Sequence, residues 1–204
     1  MLTTLKNALK VKEIRQRVIF TFLMLIVIRI GSQLPVPGVD RTYFAKWFAE
    51  QTSGAFSFFD AVTGGPFMQM SILALNINPY ITSSIIIQLL TIAIPKLEEM
   101  QRDGEAGRKK MVAITRYVTV ILAIVQSTAM SIGFGRQGLL THYTWYNVIT
   151  CIVALTAGSA FLMWLGEQIT EHGIGNGISI VLIINILSFS VIYAPFINIP
   201  VHII

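Results

Sequence analysis

The sequence predicts an all-α membrane protein, with five transmembrane helices and one re-entrant half-helix, and three observations predict it. Of its 204 residues 54% are apolar and only 12% are charged, about half the charge a soluble domain normally carries. Mean hydropathy is +0.69, and the apolar residues lie in long runs. A helix crosses a bilayer core with about 20 such residues, whereas a barrel strand would show about 10 in strict alternation. The net charge of +5 comes from basic residues clustered in two short segments beside these runs, not spread over one soluble face. That placement reads as membrane topology and excludes a nucleic-acid surface as the primary role.

Residues 1–17 set Leu2, Leu5 and Leu9 opposite Lys6, Lys10 and Arg17 on a helical wheel, which predicts an interfacial helix. Residues 18–34 form the first predicted span, roughly 26 Å at 1.5 Å per residue. Arg29 near its far end is expected to snorkel to the surface. No cleavable signal peptide is expected, because this run follows a basic stretch and ends in Pro35-Val36-Pro37-Gly38. Polar and turn residues continue to Phe56. The stretch from Phe56 to Met70 is too short, and too broken by Gly64-Gly65-Pro66, to span, yet too apolar for an exposed loop. A half-inserted segment within a protein-lined funnel fits, since lipid cannot satisfy free backbone groups.

Residues 71–94 form the second predicted span, with Asn76, Asn78 and Pro79 marking a helix restart near its outer end. Residues 95–110 read as a charged cytoplasmic loop, and residues 111–134, 146–165 and 178–194 as the remaining spans. Trp145, Tyr146, Trp164 and Tyr193 fall at span ends, as interfacial aromatics do. Arg116, about one turn into the third span, is expected to snorkel. Five Lys or Arg lie in residues 1–17 and five in residues 95–110, against Arg41, Lys46 and Arg136 in the intervening outer loops. This asymmetry places the N-terminus in the cytoplasm and, with five spans, the C-terminus of this chain outside.

Chemistry-bearing groups are sparse. Cys151 is the single cysteine, which excludes an internal disulfide or a cysteine metal cluster. His142, His172 and His202 are scattered over loops without metal-ligand spacing, so a metalloprotease is disfavoured. Glu98, Glu99, Asp103 and Glu105 alternate with basic residues, as on a solvated face. The segment Glu167 to Ile180 joins the last two spans as a tight turn, where three glycines permit close helix approach and Asn176 can cap the following helix. It lacks the Lys-Ser/Thr and the preceding strand of a phosphate loop. No cofactor is implied.

Four strings carry a family resemblance. They are Phe161-Leu162-Met163-Trp164-Leu165-Gly166 continuing through Ile180, and Asn78-Pro79-Tyr80-Ile81-Thr82-Ser83-Ser84 continuing through Leu90. To these add Gly104-Glu105-Ala106-Gly107-Arg108-Lys109-Lys110 with Thr115-Arg116-Tyr117, and Pro35-Val36-Pro37-Gly38-Val39. In this order they resemble the N-terminal half of the SecY family of protein-conducting channels, up to about Leu187. The resemblance implies the central subunit of a bacterial inner-membrane translocase that passes unfolded polypeptides, with no enzymatic activity.

It also implies a plug over residues 59–70, comprising Phe59, Asp60, Gly64, Gly65, Pro66, Phe67, Met68, Gln69 and Met70. A constricting aliphatic ring would be supplied from this half by Ile81, Ile85, Leu182 and Ile186, with leucine replacing the family's isoleucine at 182. Gln88 and Gln126 are lateral-gate candidates, with hydrogen bonding between helices as the alternative role. The implied partners are SecE, SecG, the SecA motor, the ribosome, signal sequences, translocating chains and membrane lipids. Because the family closes its pore with a second five-span half, these 204 residues alone are not expected to translocate protein. Two other readings are a regulatory fragment that binds translocon partners and half of a small-solute carrier. The carrier would need a buried ion-binding carboxylate, and none of the ten acidic residues lies mid-span.

Overall fold

The structure is a computed structural model that describes residues 11–39, 70–138, 140 and 143–193, with side chains of the last helix described as far as Ile186. Among these residues the order of elements is α1 (Lys12–Gln33), α2 (Asn78–Ala93), α3 (Pro95–Arg102), α4 (Gly104–Arg136), α5 (Trp145–His172) and α6 (Gly177–Tyr193). Extended pairing among the described residues is limited to two isolated bridges, Pro35 with Ser71 and Val39 with Leu140. Two helices, α4 and α5, are each long and apolar enough to cross a membrane; α2 with α3 makes a third if that bent pair is one span. Residues 177–186 of α6 form a shorter apolar helix.

The described chain divides into two compact units, one holding residues 11–35, 70–74 and 164–193 and the other residues 36–39, 75–138, 140 and 143–163. In the second unit, α4 buries Gly107, Thr115, Thr119, Ala123, Ser127, Ser131 and Gly135. Its Tyr117, Ile121, Ile124 and Val125 stand exposed. This reverses the pattern of a water-soluble helix, which turns its aliphatic stripe inward. It is the pattern of helices in lipid, where small residues let backbones approach and hydroxyls bond across the contact. Facing it, α2 buries Pro79, Ser83, Ile87 and Thr91 at the same spacing of four. The Ser83 and Thr119 hydroxyls hydrogen-bond to each other across this seam. Further along α4, Ser127 Oγ lies 3.0 Å from Thr156 Oγ1 of α5.

In the first unit, α1 buries Thr21, Leu25, Ile28 and Ser32 and exposes Ile19, Phe22, Leu23, Ile26 and Ile30. The helix runs without a break from Lys12, so residues 12–17 belong to the rod that carries the first predicted span, not to a separate interfacial helix. No proline or glycine interrupts the chain before Gly31. Residues 1–10 lie outside the described residues.

Two other boundaries differ from the sequence expectation. Helix α2 begins only at Asn78, not at residue 71. Asn76 adopts φ +53°, a left-handed conformation that a short polar side chain tolerates and that halts a helix, and its Oδ1 accepts the Ile77 N–H at 2.8 Å. Pro79, lacking a donor, sits in the first turn, where none is needed. The irregular stretch before α2 is enclosed: Met70, Ser71, Leu73, Ala74, Leu75, Asn76 and Ile77 are all buried. Such enclosure is what non-helical backbone at membrane depth requires.

Residues 95–110, expected as a charged loop, are helical: α3 turns through 104° from α2 and is followed by the first turns of α4. Its Glu, Lys, Met, Gln and Arg are good helix formers, Pro95 starts it, and Gly104 at φ +69° separates it from α4. Gly107 lets the two meet, since a Cβ there would come within 1.7 Å of the Met100 carbonyl.

Candidate functional site

The residues that the resemblance singled out occupy helix faces in both units. In the second unit, Ile81 is half-buried and Ile85 exposed on α2. Ser83 and Ile87, about 200° away on the opposite face, are buried. Residues four apart share a helix face, so Ile81 and Ile85 form one aliphatic strip turned away from the polar seam with α4. Gln88 is exposed next to Ile87, and Gln126 is half-buried next to Ser127.

In the first unit, Leu182 is half-buried and Ile186 exposed on α6, while Val181 and Asn185 are buried. Here too the two aliphatic positions lie one turn apart on a face that is not the packed one. Of the plug residues only Met70 is described; it is buried and has φ +43°. Such a backbone is uncommon for a residue with a Cβ. Phe59, Asp60, Gly64, Gly65, Pro66, Phe67, Met68 and Gln69 lie outside the described residues.

The turn into α6 is built as the glycines promised. Helix α5 runs on to His172, so the connection itself is only Gly173 to Asn176. A Cβ at Gly177 would lie 2.1 Å from the Gly166 carbonyl and 2.8 Å from Ile169 Cβ. Gly175 has φ +66°. Thr170 Oγ1 donates to the Gly166 carbonyl at 2.9 Å and accepts from Gly177 N–H at 3.0 Å. Asn176 Oδ1 accepts from Ile178 N–H at 3.1 Å, capping α6.

Helix α1 then clasps this turn. Thr21 Oγ1 accepts from Ile174 N–H at 3.2 Å, Arg17 donates to the Gly173 carbonyl at 3.3 Å, and the rings of Phe20 and His172 lie 5.8 Å apart. A second tie joins the same helices: Arg29 Nη2 donates to the Ile184 carbonyl of α6 at 2.5 Å. The expectation that Arg29 simply snorkels is corrected by this geometry, which turns the guanidinium onto a main-chain acceptor. An apolar groove of about 450 Å³ flanks it, lined by Phe22, Leu25, Ile26, Ile30, Gln33 and Ile184.

Sequence reading missed these interhelical ties, although one signal was present. From Thr115 to Gly135 small residues (Thr, Ala, Ser, Gly) recur every four residues along α4, and a run of that kind inside an apolar span marks a packing seam. Among the described residues no cluster of His, Cys, Asp or Glu is placed to hold a metal ion.

The family model for SecY matches residues 71–200, more than half of the chain. The chain belongs to the SecY family. It is 47% identical over 180 residues to the protein translocase subunit SecY of Buchnera aphidicola subsp. Acyrthosiphon kondoi, an alignment covering 86% of this chain and 51% of that protein. To SecY of Bacillus subtilis strain 168 it is 45% identical over 192 residues, covering 92% of this chain and 44% of the relative. To SecY of Escherichia coli K12 it is 46% identical over 180 residues, with 86% and 41% covered. The chain thus spans about half the length of the curated SecY relatives it matches.

Two solved structures share the fold. One is the Sec61 channel in a canine ribosome–channel complex from the endoplasmic reticulum. The other is described as the structure of a protein conducting channel. Each gives a TM-score of 0.62 at 21% identity, covering 92% of this chain and 40% of the other.

Proposed function

We propose that this chain forms one wall of a polypeptide-conducting pore, as the central subunit of a Sec-type translocase in the bacterial cytoplasmic membrane. The observation that carries the reading is the family match over residues 71–200. In this reading the chain crosses the membrane five times with its N-terminus in the cytoplasm, and residues 59–70 plug the outer funnel. Ile81, Ile85, Leu182 and Ile186 supply this half's share of the constriction. An aliphatic ring sheds water when empty and binds no passing side chain strongly, which suits a pore for unrelated sequences. The exposure of Ile85 and Ile186, at 51% and 46%, supports the reading, because pore-lining side chains must be left out of the packed core.

Gln88 and Gln126 belong to the lateral gate through which signal sequences and membrane segments leave for lipid. The pore is completed by a second five-span half, and without it these residues do not transport. SecE, SecG, SecA and the ribosome are the partners. No bond is made or broken by this chain, so it is not an enzyme.

A cysteine placed by Ile85→Cys in a Cys151→Ala background tests the reading, in membranes holding a stalled secretory chain. Crosslinks to the stalled chain are expected only when the C-terminal half of a SecY relative is co-expressed. No crosslink in either condition would remove Ile85 from the pore.

A further inference from the structure

We propose that Arg29 is a positioning residue: its bond to the main chain of α6 fixes the rotation and height of the helix that carries Leu182 and Ile186. The consequence for the pore rests on the reading above, whereas the register claim stands on the contact itself. The guanidinium lies on α1, in the part of the chain that is otherwise apolar from Val18 to Ile30 apart from Thr21. It donates to the Ile184 carbonyl at 2.5 Å, a contact linking residues 155 apart in sequence. Among the described residues it has no ion-pair partner, and the surrounding groove is lined mostly by aliphatic and aromatic side chains.

A half-buried guanidinium with one hydrogen bond adds little net stability, because its partial desolvation offsets what the bond returns. What it supplies is selectivity among helix registers. The groove walls would accept α6 in several nearly equivalent slides, since aliphatic contacts are non-directional. Carbonyls recur along α6 at about 1.5 Å and 100° per residue, so the bond admits only discrete combinations of slide and rotation, and the one that keeps Val181 and Asn185 buried brings the Ile184 carbonyl to Arg29.

The direction of the grip matters as much as its presence. Position 184 is offset by about 200° from both 182 and 186 on a helix of 3.6 residues per turn. Ile184 therefore lies behind the face that presents Leu182 and Ile186. Val181 and Asn185 are buried on the face between the two. Helix α6 is thus held at its back and flank, while Leu182 stays half-buried and Ile186 exposed on its aliphatic strip.

Arginine-to-methionine substitution separates register from packing, because methionine keeps the length and apolar surface but has no donor. The chain is expressed in a Cys151→Ala background in membranes that also contain the C-terminal half of a SecY relative. Ile26→Cys is combined in turn with Ile183→Cys, Ile184→Cys or Asn185→Cys, and disulfide yield reports which residue of α6 faces α1. With Arg29 present, the 184 pairing should dominate; Arg29→Met should spread the yield over its neighbours, changing the ratio by about ten-fold, while resistance to thermal unfolding is kept or raised. Arg29→Lys, which still offers a cationic donor, should restore most of the preference.

Should Arg29→Met fail to accumulate, Arg29→Gln, a shorter neutral donor, is expected to give an intermediate ratio. An unchanged disulfide pattern in Arg29→Met, or in Arg29→Gln if that variant is the one obtained, would overturn the proposal. This map does not depend on transport, so a failure of the pore reading would leave it intact. Alkylation of Ile186→Cys by a membrane-impermeant maleimide, altered in Arg29→Met only when the companion half is present, would then tie register to the pore.

Discussion

Two helix-to-helix junctions use the same local chemistry and end in different circumstances. At one, α3 gives way to α4 through Asp103 and Gly104; at the other, α5 gives way to α6 through Gly173 to Asn176. Each places a glycine at positive φ, +69° at Gly104 and +66° at Gly175. Each also needs a second glycine where helices touch, at Gly107 and at Gly177. The α3–α4 junction is exposed and charged, and its ion pair is local, between Glu98 and Arg102 at 2.6 Å. The α5–α6 junction is gripped by Arg17, Phe20 and Thr21 of a helix some 150 residues earlier in the chain. Turn chemistry makes a bend in either case. Only long-range contact turns a bend into a fixed point.

The contrast breaks if substitutions at the two junctions cost the same. The largest effect is expected from Gly177→Ala, whose Cβ would meet the Gly166 carbonyl at 2.1 Å between two helices that cannot both yield. A loss of about 3 kcal/mol in denaturant titrations in detergent is expected, at the upper end of overpacking costs. Gly107→Ala makes an even closer nominal contact, 1.7 Å from the Met100 carbonyl. Yet short α3 has no buried residue and can swing aside, so its change should appear as proteolysis near residues 95–104 rather than as a global loss.

The middle of the scale belongs to Thr21→Val. It removes the acceptor for Ile174 N–H and the hydroxyl that donates to the Arg17 carbonyl at 2.8 Å. A partly buried N–H left without its partner costs about 1–2 kcal/mol, and amide exchange at Ile174 should accelerate while exchange in α4 does not. The smallest effect is expected at the free junction. Glu98→Gln removes an exposed pair on one helix face, with side chains 48% and 78% accessible. Pairs of this kind contribute about 0.3–0.5 kcal/mol and are screened by salt. A stability change comparable to that of Thr21→Val would show that the α3–α4 junction is anchored after all.

The same two junctions show what the sequence made readable. Gly173-Ile174-Gly175-Asn176-Gly177 announces a tight turn because close approach, positive φ and a helix cap each require a particular residue type, and the structure uses Gly175, Asn176 and Gly177 in those ways. The charged run 95–110 misled, because polarity reports solvent exposure and says nothing against a helix when the residues are Glu, Lys, Met, Gln and Arg. The start of α2 was misjudged for a related reason. Residues 71–77 are apolar because they are enclosed, and enclosure does not require a helix.

Contacts between distant residues were not legible at all. Arg29 reads as an ordinary snorkelling cation until the carbonyl of Ile184 is seen beside it. The aliphatic pairs were legible as faces, since spacing of four specifies a shared side. Their assignment to a pore came from resemblance, as periodicity does not distinguish a channel lining from a lipid-facing stripe.

The spacing of small residues along α4 has a geometric consequence beyond tight packing. A step of four residues overshoots a full turn by about 40°, so a row that keeps this step is not a straight seam but a slow spiral. From Gly107 to Gly135 the row skips only Met111, and its positions rotate by roughly 280° around the helix. The row therefore meets a different neighbour at each height: Met100 of α3 at Gly107, Ser83 of α2 at Thr119, Thr156 of α5 at Ser127 and the ring of Tyr143 at Gly135. Helix α4 works as a newel post, with one thread of small side chains that sets the direction from which each surrounding element arrives.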